Sequence, residues 1–411
     1  MERTVKRFTK VYPWYGAFTG DLLFYIAIDT LFLTLVKNFS AAEIVSLNSI
    51  AQLVCIGLQF PLLFLIKKIG NTASFRLGAF CLLSSSVLIT FGPNYFVVLL
   101  GKILHVAAAI LRNASVVALE NNLDLVDNRS DFVRLRTSAN TVYAFVTMLI
   151  SFVASYMFNL NHYLPMFGCI ACCAVGFILS MLMKDCSAYN KIVREEKKKE
   201  RVKLHYSSVV ITIILVYSIS SMIITGGQSE GKLFIQQHLL VDFSVETTAL
   251  IIGAIVCISR IIRVVSNMVF AKLYVKYQDK TGVVLSVMLA SAIAFMLFGS
   301  FVPSAVLKFV VMGFGYTIIL FVRDPFSIYI QDAIFAATDK DQHQTLLALL
   351  GFGTKIAIAG SGLVFAAILV SYPMITVISI IFGIAAVEFI LSLILYGKIK
   401  NSKNEKAETA A

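Results

Sequence analysis

Residues 111–122 read LRNASVVALENN, and residues 322–333 read VRDPFSIYIQDA. Laid over each other at an offset of 211, Arg112 meets Arg323, Asn113 meets Asp324, Glu120 meets Gln331 and Asn121 meets Asp332. Each stretch ends an apolar run that starts at a proline turn, Gly92-Pro93-Asn94 in one case and Val302-Pro303-Ser304 in the other. At an offset of 204, Phe39-Ser40 falls on Phe243-Ser244, Lys68 on Lys272, and Arg76-Leu77-Gly78 on Lys280-Thr281-Gly282. Matches that keep their order at nearly constant spacing indicate parallel duplication of one structural unit.

The composition says what kind of unit is duplicated. Of 411 residues, 58% are hydrophobic and only 14% charged, with a mean hydropathy of +0.85. Soluble domains carry roughly 25% charged residues. Disorder is excluded because too little of the chain is polar, and a polytopic membrane protein remains. Its spans must be helices, because an open strand edge cannot be satisfied in lipid. Apolar runs predict twelve spans, over residues 14–36, 44–66, 77–92, 95–119, 137–158, 164–183, 207–232, 247–270, 282–301, 304–322, 346–370 and 374–397. The predicted fold class is an all-α membrane protein: two pseudo-symmetric six-helix bundles, 14–184 and 207–397. A basic linker 185–206 joins them, and tails 1–13 and 398–411 flank them.

The net charge of +12 follows the same division. With the N-terminus inside, 26 of the 35 Lys and Arg residues fall in inside segments, and only Lys37 falls outside. Such an excess of basic residues on one side marks the cytoplasmic face. Both termini are therefore expected in the cytoplasm, and the charge gives no sign of nucleic-acid binding. No small-residue cleavage site follows the first apolar run, which reads as a retained span. The spacing Cys169-x-x-Cys172 lies in an apolar run without histidine, so these cysteines read as packing residues. No nucleotide-binding, dinucleotide or hydrolase motif is present. An enzyme is not expected, nor a cofactor or a metal. Without an ATP motif, transport would draw on an ion gradient or on the solute's own gradient.

With these features the chain resembles the major facilitator superfamily over about residues 12–398. The family's loop signature G-x-x-x-D-[RK]-x-G-R-[RK] survives in part as Leu65-Ile66-Lys67-Lys68-Ile69-Gly70-Asn71, with Lys67 in the place of the aspartate. Lys102 stands near the family's R-x-x-x-G arginine, with Val106 in the place of the glycine. The fifth span lacks the G-x-x-x-G-P element of proton-driven drug antiporters. The resemblance implies two bundles rocking around a central cavity. By that resemblance spans 1, 4, 7 and 10 line the cavity, spans 2, 5, 8 and 11 meet between the bundles, and spans 3, 6, 9 and 12 face lipid. It also implies a monomer.

Charges inside spans are the functional signal, because one at the bilayer centre costs roughly 2.5–3.5 kcal/mol on insertion scales. Arg260 and Lys355 fall near mid-membrane and read as cavity cations; the alternative is a structural ion pair with an aspartate of span 1 or 10. Arg112 and Arg323 suit a carboxylate or phosphate by their fork of donors. They suit equally an inner gate involving Asp324. Lys102, Tyr143 and Tyr316 complete the candidate substrate-binding set, and Lys67, Lys68, Asp324, Lys272 and Lys276 the candidate gate. Asp21, Tyr25 and Asp29 share one face of a continuous helix at this spacing. Asp21 and Asp29 are therefore the candidate proton-coupling carboxylates, with a permanent salt bridge from Asp21 to Lys102, Arg260 or Lys355 as the alternative. Arg323-Asp324-Pro325 reads as a helix break, Glu230 and Lys232 as residues near the outer end of span 7, and His105 as a packed residue. Glu388 reads as a helix contact, on a span that the resemblance turns toward lipid.

The expectation is a secondary active transporter of a small organic anion, coupled to protons, in a bacterial cytoplasmic membrane. Two alternatives are an exporter of neutral or hydrophobic compounds and a lipid-handling protein or receptor.

Overall fold

The computed structural model describes residues 2–128, 131–186, 208–277, 280–338 and 343–410, and every regular element among them is helical. The first unit holds α1 (Glu2–Thr19), α2 (Tyr25–Leu31) with a π-helical turn Phe32–Val36, α3 (Ala41–Phe91) and α4 (Tyr95–Arg112). It continues with α5 (Ala114–Asp124), α6 (Asp131–Leu160) and α7 (Leu164–Met181). Then follow α8 (Ser208–Asp242), α9 (Val245–Tyr277), α10 (Thr281–Gly299), α11 (Ala305–Ala337), α12 (His343–Leu369) and α13 (Met374–Ala410). Among the described residues ten helices are long and apolar enough to cross a membrane.

One of these ten, α3, has 51 residues. At 1.5 Å per residue it would span about 77 Å, more than twice a hydrocarbon core. Gly70 divides it, at φ 80° and ψ 166°. That backbone is open to glycine and strained for other residues, so spans 2 and 3 join through a single residue. Ser40 starts α3 with a capping box: its hydroxyl accepts from the Glu43 N–H, while the Glu43 carboxylate accepts from the Ser40 N–H at 2.8 Å. Lys37, the one basic residue expected outside, donates from Nζ to the carbonyls of Thr90 (2.7 Å) and Gly92 (2.9 Å). A cation there satisfies carbonyls that the end of a helix leaves unpaired.

The first span departs from expectation twice. Residues 1–13 do not form a tail: α1 begins at Glu2, and Phe8 and Tyr12 join Tyr15, Phe75, Leu119 and Met183 in the core of the first unit. Their charged neighbours hid an amphipathic helix whose apolar face had a partner waiting. The span is also interrupted between Thr19 and Tyr25. At the other end, α13 runs on to Ala410 through the segment read as a tail.

The chain divides into two compact units, Met1–Lys197 with Val245–Cys257, and Lys198–Ser244 with Ile258–Ala411. The start of α9 belongs with the first unit, where Asn159 Nδ2 donates to the Glu246 carbonyl at 3.0 Å. Of the linker 185–206, residues 187–206 lie outside the described residues. Asp185 is buried and accepts from Asn71 Nδ2 (2.7 Å) and Asn121 Nδ2 (3.2 Å), so the first unit extends through it. Arg76 closes the same end, donating to the carbonyls of Ser180, Met181 and Met183 at the end of α7. Large apolar side chains such as Phe60, Phe64, Phe96, Met268 and Ile390 stand exposed on the helices, as expected of surfaces that face acyl chains.

Candidate functional site

The break in the first span organises the site of the first unit. α1 stops at Thr19, and its last carbonyls lose their helical donors. Arg112 fills the gap, donating from a terminal guanidinium nitrogen to the Thr19 carbonyl. A cation at a helix C-terminus also opposes the negative end of the helix dipole. Gly20 follows, and a side chain there would collide with the ring of Tyr143. Phe24, at φ 35°, turns the chain back into α2.

Asp21 sits in this break. Its Oδ1 accepts from the Leu22 N–H at 2.8 Å and lies 3.0 Å from His105 Nε2 on α4. The two side chains are 29% and 28% exposed, so the pair is held by protein yet open to small species. One turn before His105, buried Lys102 places its Nζ 4.8 Å from the centroid of the Tyr25 ring, a cation–π contact. The Tyr25 hydroxyl is buried without a hydrogen-bond partner. Asp29 accepts the Thr30 N–H at 2.8 Å.

Several expectations need correction here. Asp21 shares no helical face with Tyr25 and Asp29, because the helix is interrupted between them. Asp21 meets His105, a contact that reading Asp21 for a basic partner on another span did not single out. The spacing of three between Lys102 and His105 puts both on one face of α4; that signal was available. Arg112 holds the end of α1 with one of its guanidinium nitrogens.

In the second unit Asp324 is gripped by Arg263, with Nε at 2.7 Å and a terminal nitrogen at 2.9 Å, and by Asn267 Nδ2 at 3.0 Å. This is the bidentate arrangement that matches guanidinium to carboxylate. Arg323 donates to Gln228 Oε1 on α8 at 3.1 Å. Pro325 does not break α11, which runs through it from Ala305 to Ala337.

Arg260 is half-buried, and its Nε is a buried donor without a partner. Lys355 is half-exposed on α12. Tyr316 is buried at 6% exposure rather than open. Glu230 and Lys232 are buried well inside α8, not at its end, with the Ser229 hydroxyl on the Glu230 carboxylate. Lys67 and Lys68 are exposed beside Gly70. The side chains of Lys272 and Lys276 lie outside the described residues. Glu388 faces its own bundle rather than lipid, and is fully buried.

No family model matches the sequence, and no curated protein matches it. Solved structures do. A variant of the nucleoside transporter NupG superposes with a TM-score of 0.77 at 12% identity, covering 95% of this chain and 99% of that one. A bacterial homologue of the iron transporter ferroportin, in an inward-facing state, superposes with a TM-score of 0.71 at 10% identity, covering 96% and 99%. A variant of the peptide transporter POT gives 0.68 at 10% identity, covering 97% and 94%. Such identities speak for architecture alone, and over nearly its whole length the chain has the major facilitator fold that these transporters share.

Proposed function

We propose that this chain is a secondary transporter that moves a small organic anion by alternating access, with Asp21 and His105 as its proton-handling pair. The observation that carries the reading is the Asp21–His105 contact at an interrupted first span. Discontinuous helices in transporters are where ion and substrate sites are built. A carboxylate facing an imidazole can exchange one proton for one hydrogen bond without stranding a charge. Arg260 supports the anionic substrate, since it keeps an unused donor inside the second unit.

The topology belongs to the same proposal. Spans 2 and 3 within α3, together with the interrupted first span, bring ten long helices to twelve crossings. The one-sided distribution of Lys and Arg supports cytoplasmic termini.

A second reading, a neutral polar solute, is favoured by one specific fact. Arg112, one of the cations put forward for an anion, donates to the Thr19 carbonyl.

Proteoliposomes with an imposed pH gradient and a panel of labelled carboxylates and neutral solutes test both readings. The proposal expects gradient-driven accumulation of a carboxylate, lost in Arg260→Gln. It also expects Asp21→Asn to retain exchange while losing accumulation. Accumulation of a neutral solute that Arg260→Gln leaves intact would establish the second reading. Accumulation that ignores the pH gradient would remove the proton-handling role.

A further inference from the structure

Glu388 lies on α13 with no exposed surface. Three hydroxyls from three helices converge on one of its oxygens. Ser220 of α8 approaches Oε1 at 2.8 Å, Ser286 of α10 at 2.9 Å and Ser392 of α13 at 2.9 Å. The hydroxyls of Ser286 and Ser392 are also 2.7 Å apart. Ser220 lies 2.7 Å from the Val216 carbonyl, and Ser286 lies 3.0 Å from the Gly282 carbonyl. The other carboxylate oxygen, Oε2, is buried and has no partner.

Counting hydrogens shows what is missing. These six close oxygen–oxygen contacts have only three serine protons to share. No basic side chain among the described residues pairs with Glu388. The elements packed around it bring little charge: α10 has none, and Glu230, Lys232 and Asp242 on α8, Lys355 on α12 and Lys398 and Lys400 on α13 make no recorded contact with it. An ionised carboxylate in such a place would cost several kcal/mol without a counter-charge, and a bare buried oxygen adds to that cost. A crowd of oxygens with too few hydrogens is chemistry that wants a small cation.

We propose that Glu388, Ser220, Ser286 and Ser392 form a buried binding site for a monovalent cation, a proton or a sodium ion, within the second unit. A proton on the carboxylate supplies one of the three hydrogens lacking, and separations of 2.7–2.9 Å are hydrogen-bond distances that suit it. A sodium ion would take both carboxylate oxygens and the serine hydroxyls as hard ligands, with the single negative charge balancing it. The inference does not depend on which solute the chain moves, or on the Asp21–His105 pair.

Two measurements on the purified full chain test it. Infrared difference spectra between wild type and Glu388→Gln report a protonated carboxyl as a carbonyl band that the variant lacks. Melting temperature against NaCl, with choline chloride holding ionic strength constant, reports sodium. The expected result is one of two: the carboxyl band at neutral pH, or a sodium-specific rise in Tm that Glu388→Gln abolishes and Ser286→Ala weakens. The first assigns the site to a proton and the second to sodium. A wild-type chain with neither response overturns the proposal, whether or not the variants fold. So does a sodium response that survives unchanged in both variants.

Discussion

The two units solve one problem in different ways. In each, an arginine late in the fourth span reaches the first span of its own unit. Arg112 takes the Thr19 carbonyl, while Arg323 takes the side chain of Gln228. The difference lies in the helix that receives it. The first span of unit one is interrupted, so backbone groups need outside partners and Asp21 is freed to meet His105. The first span of unit two, α8, is continuous over 35 residues, and its polar stretch stays helical. The arginine stands at the matching position of each unit, and what it does is decided by whether the backbone beside it is already satisfied.

Substitutions that exchange the two solutions test this contrast. The largest effect is expected at Asp21. Replacing it by Asn removes a charge-assisted contact worth roughly 1.5–3 kcal/mol, and gradient-driven accumulation should fall by about 10–100-fold while solute exchange persists. Arg112→Leu comes next, because it strands the carbonyl at the end of α1. A stability loss of about 1–3 kcal/mol is expected, read as a fall in Tm. Arg323→Leu, which removes the donor to a side-chain amide rather than to a helix-end carbonyl, should lower Tm much less. Equal losses from the two would break the contrast.

Gly20→Val drives a side chain into Tyr143 and should cost about 1–3 kcal/mol. Adding Tyr143→Ala should recover part of that loss in thermal melts. Smallest of all, Lys67→Ala and Lys68→Ala should leave Tm and expression unchanged, since both side chains are exposed.

The fold was legible because each of its signals acts segment by segment. Hydrocarbon thickness sets the length of an apolar run, and the cytoplasmic bias acts on the loops around it. Gly92-Pro93-Asn94 announced its turn locally. The amphipathic start of α1 was missed because its apolar residues are spaced among Lys6, Arg7 and Lys10, and hydropathy averages them away.

The site was legible as a set of residues but not as a set of pairs. Asp21, Arg112, Arg323 and Asp324 could be picked out one by one, because a charge in a span is costly wherever it points. The partners depended on the rotation of one helix about its axis relative to another, and on the interruption after Thr19. Glu388 makes the point most sharply. Its serines lie as far as 168 and 102 residues away in sequence, and nothing local distinguishes them from the other helical serines. The sequence by itself determined that this is a duplicated, helical membrane chain with charges it must shelter. Only the tertiary structure decided which group shelters which, because ion pairs and hydrogen bonds act over about 3 Å, far more finely than any periodicity places a side chain.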